Sequence, residues 1–598
     1  MAGYTDIIKQ SGKGLDSSKN LVYLLDINVG GTFGTYSYAN IAKDSGGVFY
    51  KSKIQNSGAI HRSVNPETGE FEVSDLTISL SNGDLEFSKY PWNQFILNKP
   101  VTLSFGLSGS DVIEYLADCS HLADGSITAS CTPLGVGGPG DISVTKIYTL
   151  YKGIIKKEER GNKEFKFSVG DYTHKIFKTI PPRIFTVAEF PFIGTSVALG
   201  TIVNDADTTI IGRGIPYLYG DFTNTKIKPV FIDKNKHRYL IADHAIGTVT
   251  SVYSSGSQVF NYTCPNINGF VGGTHLIGTN IMSFITFGTK QGTRVVYVCA
   301  KGRHDSALIE NPVNLMEDIL CSSGLGNLGS SVDLNGTSFN TTRYWLNPYK
   351  YRYIMNGEIH KNMIDLINDL CVDTMSSFFF DRENKANFTT YRPAVSRSYI
   401  KKITQNEILE DTFSLTRDVN DAYNRVVINY DYDYEKKEYK NAYEIGGTVS
   451  INSMNTVRTF EVNASFIYTN TEASFVGMKW LNRLQNGINK IQFSAPMTIL
   501  PLDIGDRVLI THEEPPTSTG GWDNRLINII EFEVDNKTKE VHITAIDEDE
   551  INISKRYFIL GNNTGGLWST ATEAQKNYGA LCSSGGTFSN GDIGCILW

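Results

Sequence analysis

The sequence has no apolar run approaching the ~20 residues that a membrane-crossing helix needs. Its first fourteen residues, MAGYTDIIKQSGKG, lack the charged start and apolar centre of a signal peptide. The reading is a soluble protein made in a cytoplasm, with no lipid insertion of its own. A surplus of positive charge is missing too: 55 Lys and Arg stand against 63 Asp and Glu, a net charge of −8. A dedicated nucleic-acid binder needs clustered basic side chains, so that class is excluded. The basic groupings Lys226 to Arg238 and Lys156–Lys157 are interleaved with or flanked by apolar and acidic residues, and read as solvated strand faces. A mildly acidic surface does suit a channel through which DNA slides without sticking.

Cysteine is sparse and dispersed. The eight residues at 119, 131, 264, 299, 321, 371, 582 and 595 form no CxxC and lie at no zinc-finger spacing with His. Such thiols read as buried free cysteines. Cys119 with Cys131 and Cys582 with Cys595 each flank a Gly/Ser-containing loop, so a disulfide stays open at those two places.

Catalytic and cofactor motifs are missing in the same way. No GxxxxGK[ST] phosphate loop and no GxSxG nucleophile elbow occurs. Gly324 to Gly329 matches GxGxxG, but it follows a helix pattern where a dinucleotide site must follow a strand, so it reads as a helix stop. His512-Glu513-Glu514-Pro515-Pro516 lacks the second His of a zinc helix and carries helix-breaking prolines; it reads as a strand running into a loop. Asp431, Asp433 and Glu435 share one strand face. They could hold calcium, but a single row offers too few converging oxygens, and a solvated face is the expectation. The ten histidines are scattered. The sequence therefore predicts no catalytic, cofactor-binding or metal-ligating residues, no cofactor, and no enzyme.

What is present is β-forming material: 31 Tyr, 31 Phe and 55 Gly. A chain of 598 residues predicts roughly three to five domains. Phe71, Val73, Leu76, Ile78 and Leu80 supply a strand; Asn82-Gly83 predicts a type I′ turn, with Leu85 and Phe87 beginning the return. Ile147 to Ile155 and Phe165 to Val169 predict a hairpin across Arg160-Gly161-Asn162. Asn311-Pro312 opens a helix, with Gly324 expected just past its end. A second helix runs from Lys361 to about Met375, into a hairpin of Ser376 to Phe380 and Phe388 to Tyr391. Thr469 and Glu472 form a capping box for a third, whose apolar face is Ala473, Val476, Trp480, Leu481 and Leu484. Strand signals at Ile491–Phe493, Arg507–Thr511, Leu526–Val534 and Glu540–Ile546 close the last folded block.

Two stretches carry a resemblance. Phe71 to Asp84, Ile147 to Gly153 and Phe165 to Tyr172 form one; Asp418 to Tyr430, the helix Glu472 to Gln485 and Leu502-Asp503-Ile504-Gly505-Asp506-Arg507-Val508 form the other. Together they resemble the bacteriophage tail hub, or baseplate hub, family of tail-tip proteins. The residue pattern predicts a mainly β, multidomain protein with small α+β parts: a flexible arm over 1–19, a β-rich intervening domain over 183–310, a small α+β domain over 311–402 and a tail over 551–598; the resemblance implies that 20–182 and 403–550 are a first and a second tube-like β-barrel. It also implies a homotrimer whose ring adapts a sixfold tail tube to a threefold tip and lets DNA pass. The helix Glu472–Gln485 would cover the outer face of the second barrel. The implied neighbours are distal tail or tail-tube ring proteins, the tape-measure protein, and tail spike or fibre proteins. The implied location is the virion tail, after synthesis in the host bacterial cytoplasm. Two other functions compete: a host-surface receptor or glycan binder, and a tail-associated enzyme that degrades cell wall or capsule.

Overall fold

The computed structural model describes residues 21–567 except 31–33, 46–47, 66–70, 74, 89–95, 108–146, 191–209, 234, 268, 275–279, 290, 292–293, 306, 323–324, 358, 392–400, 486, 516–520, 537, 549–556 and 560–564. The expected arm, both candidate disulfides, Gly324 and most of the C-terminal tail lie outside the described residues.

The chain is mainly β, in several sheets. Eleven strands come from the first block: β1 (Leu21–Asn28), β2 (Thr35–Ala39), β3 (Lys43–Ser45), β4 (Val48–Ser52), β5 (Ile54–Ser57), β6 (Ile60–Val64), β7 (Phe71–Val73), β8 (Leu76–Ser81), β9 (Pro100–Leu107), β10 (Ile147–Arg160) and β11 (Glu164–Gly170). Nine of them form one sheet in the order β3-β4-β2-β1-β9-β10-β11-β8-β5. Nine more come from the last block: β12 (Lys401–Thr404), β13 (Ser414–Arg417), β14 (Arg425–Asp433), β15 (Glu438–Gly446), β16 (Thr459–Asn463), β17 (Asn489–Pro496), β18 (Arg507–His512), β19 (Trp522–Asp535) and β20 (Glu540–Asp547). They make a sheet β12-β18-β19-β20-β17-β13, to which β6 and β7 are added, and a separate triplet β15-β14-β16. Among the described residues both large sheets are open-ended, and no strand pairing closes either of them on itself.

Period-2 alternation decides which side chains are inside. Tyr23, Leu25 and Ile27 of β1 point into the main core, while Val22 and Leu24 pack on the other side with Ala39 and Tyr50. The main core runs through both large sheets: Leu76, Ile78, Leu80, Phe165 and Phe167 share it with Ile491, Phe493, Phe532, Val541 and Ile543.

Between the blocks, strands from Val230 to Leu308 form two further sheets over their own apolar clusters, and Tyr217–Tyr219 pairs with Tyr353–Met355. The helices α1 (Pro312–Cys321), α2 (Gly336–Trp345) and α3 (Met363–Thr374) follow, with the hairpin Ser376–Phe380/Ala386–Thr390. Asn311 caps α1 as its sequence implied, its Oδ1 accepting from Val313 N at 2.9 Å. The helix expected near 472–485 is α4 (Asn470–Leu484), with Thr469 Oγ1 accepting from Glu472 N at 3.3 Å.

Two local expectations are corrected. Asn82-Gly83 does not turn a hairpin: β8 pairs with β11 and β5, and Leu85 and Phe87 are not in a strand. Asn82 is fully buried, its Nδ2 donating to Gly161 O and Ser88 Oγ while its Oδ1 accepts from Phe87 N. The Asn-Gly signal is local, and the longer-range pairing of Leu76–Ser81 overrides it. Helix α4 is no outer cover of the second large sheet. Nine of its fifteen residues are buried, against β14 and β15 and against α3, with Trp480 Nε1 donating to Val372 O. Its apolar stripe is wide enough to serve as core.

Candidate functional site: a junction of two like sheets

Inside the two large sheets the same arrangement occurs twice. The first contains the order β5-β8-β11-β10-β9 and the second the order β13-β17-β20-β19-β18, antiparallel at every step. The long strands β10 and β19 are both fourteen residues. Each carries one extra residue at the same place. Ile155 and Lys157 face Val169 and Ser168; Ile529 and Glu531 face Ala545 and Thr544. Such bulges sharpen twist and bend the strand.

The turn before β9 is repeated before β18. Asn98 N donates to Ile155 O, Ile155 N to Lys99 O, and Lys99 N to Ile96 O. Gly505 N donates to Ile529 O, Ile529 N to Asp506 O, and Asp506 N to Asp503 O. The pivots Asn98 (φ 61°) and Gly505 (φ 77°) are both left-handed, a conformation open to Gly and tolerated by Asn. The segment Leu502–Val508, singled out in the sequence, is this turn. Its twin at Ile96–Val101 went unrecognised, because Asn and Gly satisfy one backbone need with different letters.

The two units are stitched where the chain leaves the first. Beyond β5, Gly58 N still donates to Thr77 O, but β6 then crosses and pairs with β19: Ile60 with Val534, His61 with Glu533, Arg62 with Phe532 and Ser63 with Glu531. Asn536 Nδ2 holds the crossing point, donating to Ser57 O (3.2 Å) and Gly58 O (2.8 Å). His61 Nδ1 lies 3.5 Å from Glu531 and 3.8 Å from Glu533.

Beneath the crossing lies a buried charge cluster. Arg62 Nη1 is 2.8 Å from Asp503 Oδ1, and Arg382, in the hairpin turn of the middle block, donates through its backbone N to Asp503 Oδ2 at 3.2 Å. The guanidinium of Arg382 also reaches Leu500 O and Leu502 O. One carboxylate thus ties together three stretches of chain. Burial pushes the Asp503 pKa up, but the Arg62 and Arg382 guanidiniums outweigh it and hold the group below its ordinary value. Neighbouring Asp506, whose Oδ2 accepts from Asp503 N, is pushed up to about 6 by burial.

The residues that tempted a chemical reading are dispersed. Asp431 pairs with Arg352, Asp433 caps its own turn by accepting from Glu435 N, and Glu435 accepts from Tyr297 Oη, so the three carboxylates do not converge. No three His, Cys, Asp or Glu side chains form a metal group among the described residues. His512 ends β18 and stacks on Phe413. His360 bridges Tyr353 Oη (2.6 Å) and Asp369 Oδ2 (2.7 Å), but Tyr353 and His360 are buried, so this relay clamps α3 to its neighbour strand. His244 is held neutral, its pKa lowered to about 3 chiefly by burial. Ser494 Oγ lies 2.7 Å from His542 Nδ1, yet Ser494 N is spent on Thr412 Oγ1 and cannot serve a developing oxyanion. Cys264, Cys299, Cys321 and Cys371 are free thiols.

No family model matches the sequence, and no curated protein matches it. The chain is similar in structure to tail proteins. A 43 kDa tail protein of prophage MuSo2 from Shewanella oneidensis matches at TM-score 0.37 and 8% identity, over 89% of this chain and 99% of that one. A tail protein from Neisseria meningitidis MC58 matches at 0.36 and 7%, over 88% and 97%. A chain of the virion of a native gene transfer agent matches at 0.36 and 12%, over 56% and 84%. With TM-scores below 0.5, the functional reading is taken from the chain's own geometry.

Proposed function

We propose that this chain is a structural hub of a phage tail tip or baseplate, acting as a homotrimer whose six like units form a ring around a DNA channel. One observation carries the reading: the five-strand order, its bulge and its turn hydrogen bonds occur twice in one chain, over one shared core. Two similar units per chain are what a threefold assembly needs to meet a sixfold tube. Open-ended sheets, whose edges close by pairing between copies, fit the same role.

The sheet faces turned away from the core support passage of DNA without capture. Ser79, Lys166 and Glu159 lie in a row across the first unit, and Ser494, His542 and Glu533 occupy the matching row of the second. Hydroxyls and charges of both signs give no continuous basic track. The role requires no bond chemistry, so the chain is read as a non-enzyme. Its neighbours are then a tail-tube or distal tail ring on the sixfold side, the tape-measure protein within, and spike or fibre proteins beyond.

Native mass measurement and electron-microscope imaging of the full chain test this. A trimer forming an annulus is expected. A chain that stays monomeric at micromolar concentration, or a purified chain that cleaves host cell wall or capsule, would overturn it.

A further inference from the structure

The two units differ at one edge. In the second, β6 covers β19 from Glu531 to Val534. The matching residues of the first are Lys157 to Arg160 of β10: Arg160 faces Phe165 as Val534 faces Val541, and Glu159 faces Lys166 as Glu533 faces His542. Among the described residues no strand covers that stretch of β10 on the side of β9, whose pairing ends at Pro100. Lys157, Glu159 and Arg160 are exposed. Glu158 Oε2 is buried with no donor among the described residues.

Among the described residues the second unit has its own edge on which no strand lies. Strand β13 ends its sheet, and all four of its residues are exposed. Register identifies it with the crossing strand. Gly58 lies opposite Thr77, which faces Ser168; Ser414 lies opposite Gln492, which faces Thr544. Counting on, Thr416 and Arg417 hold the places of Ile60 and His61, the two residues that face Val534 and Glu533.

We infer that the end of β13, Thr416 and Arg417, pairs with Arg160 and Glu159 of β10 in a second copy of this chain, repeating between copies the start of the contact that β6 makes with β19 within one. The inference rests on the ring reading above and names its interface. The occupant follows from the internal junction: the operation that carries the first unit onto the second also carries β6 onto β13 and β19 onto a neighbouring β10. Charge agrees at Glu159, while one step further along the register Asp418 follows opposite Glu158, beyond the end of β13. Within the chain His61 sits against Glu533; between copies Arg417 would sit opposite Glu159, and Thr416 opposite Arg160. Exposed Asn162 lies in the β10–β11 turn as Asn536 lies in the β19–β20 turn, and it would meet the neighbour's backbone beside β13. The four charged side chains of the open edge deter indiscriminate strand addition, and leave it to a partner of matching charge.

The test is a charge exchange in the full chain, read by native mass measurement across concentrations. Glu159→Arg is expected to weaken trimer formation at least tenfold, and adding Arg417→Glu to it is expected to restore most of the loss. Independently, Arg160→Cys with Thr416→Cys in an otherwise unchanged chain should give, on mild oxidation, disulfides between copies and none within one. If wild type is trimeric while Glu159→Arg assembles normally and the cysteine pair yields no linked copies, this interface is wrong and the hub reading survives. If wild type is monomeric throughout, the hub reading fails and this inference fails with it.

Discussion

Strands β10 and β19 share length, bulge and partners in order, yet Glu158 and Arg160 in one stand where Phe532 and Val534 stand in the other. The backbone plan is the same, so the difference reports what covers each edge. Phe532 and Val534 are buried under β6. Glu158 and Arg160 form an ion pair (3.0 Å) beside solvent. A contact made once during folding tolerates apolar side chains; on the proposed pairing between copies, the β10 edge stays open until a neighbour arrives, and charge protects it.

The comparison breaks most sharply at the buried carboxylate. Asp503 occupies the turn position held by Ile96 in the first unit. Asp503→Ala leaves Arg62 and Arg382 without their shared anion and should cost about 3–5 kcal/mol in urea denaturation. Ile96→Ala, a plain loss of packing, should cost roughly 2–3 kcal/mol. Equal losses would mean that the cluster is no more than filler. Next, Phe532→Ala should destabilise by about 3–4 kcal/mol, while Glu158→Ala should stay within roughly 0.5 kcal/mol; thermal melts of the pair check this.

A smaller effect separates the units by pH. Asp506 corresponds to Lys99, so only the second turn carries a carboxyl. Its folded pKa of about 6 lies above the ordinary value of 3.8. The protonated form is therefore favoured in the fold, and its contribution is complete below the unfolded pKa and lost as pH rises through 6. Relative to Asp506→Asn, wild type should lose roughly 2–3 kcal/mol between pH 4 and pH 7. Denaturation series with parallel pH dependence for the two proteins would refute this. Smallest of all, Asn536→Ala should cost about 1–2 kcal/mol by freeing the Ser57 and Gly58 carbonyls. Asn162→Ala should leave monomer stability unchanged within about 0.5 kcal/mol.

Much of this architecture was legible in the sequence, though unevenly. The caps of α1 and α4 and the strands β10, β11 and β17 to β20 follow from short-range pattern, where residue type and backbone need are tightly coupled. What escaped was the long-range pairing. Nothing in the five residues Ile60–Val64 announces a partner in Glu531–Val534. Asn82-Gly83 misled because an Asn side chain can serve distant carbonyls as well as turn a hairpin. The junction was half visible: Leu502–Val508 stood out as a motif, but Arg62 and Arg382, which give Asp503 its purpose, are ordinary arginines until the chain is folded.

The crossing of β6 also sets a timetable for synthesis. Arg62 and Asp503 are 441 residues apart, so at ordinary elongation rates on the order of 20–90 s separate the emergence of the first from that of the second. During that interval the apolar side of the first sheet waits for the half of its core that the ribosome has not yet made. A fragment released before β19 would carry β6 paired with β7 alone, above an uncovered apolar surface.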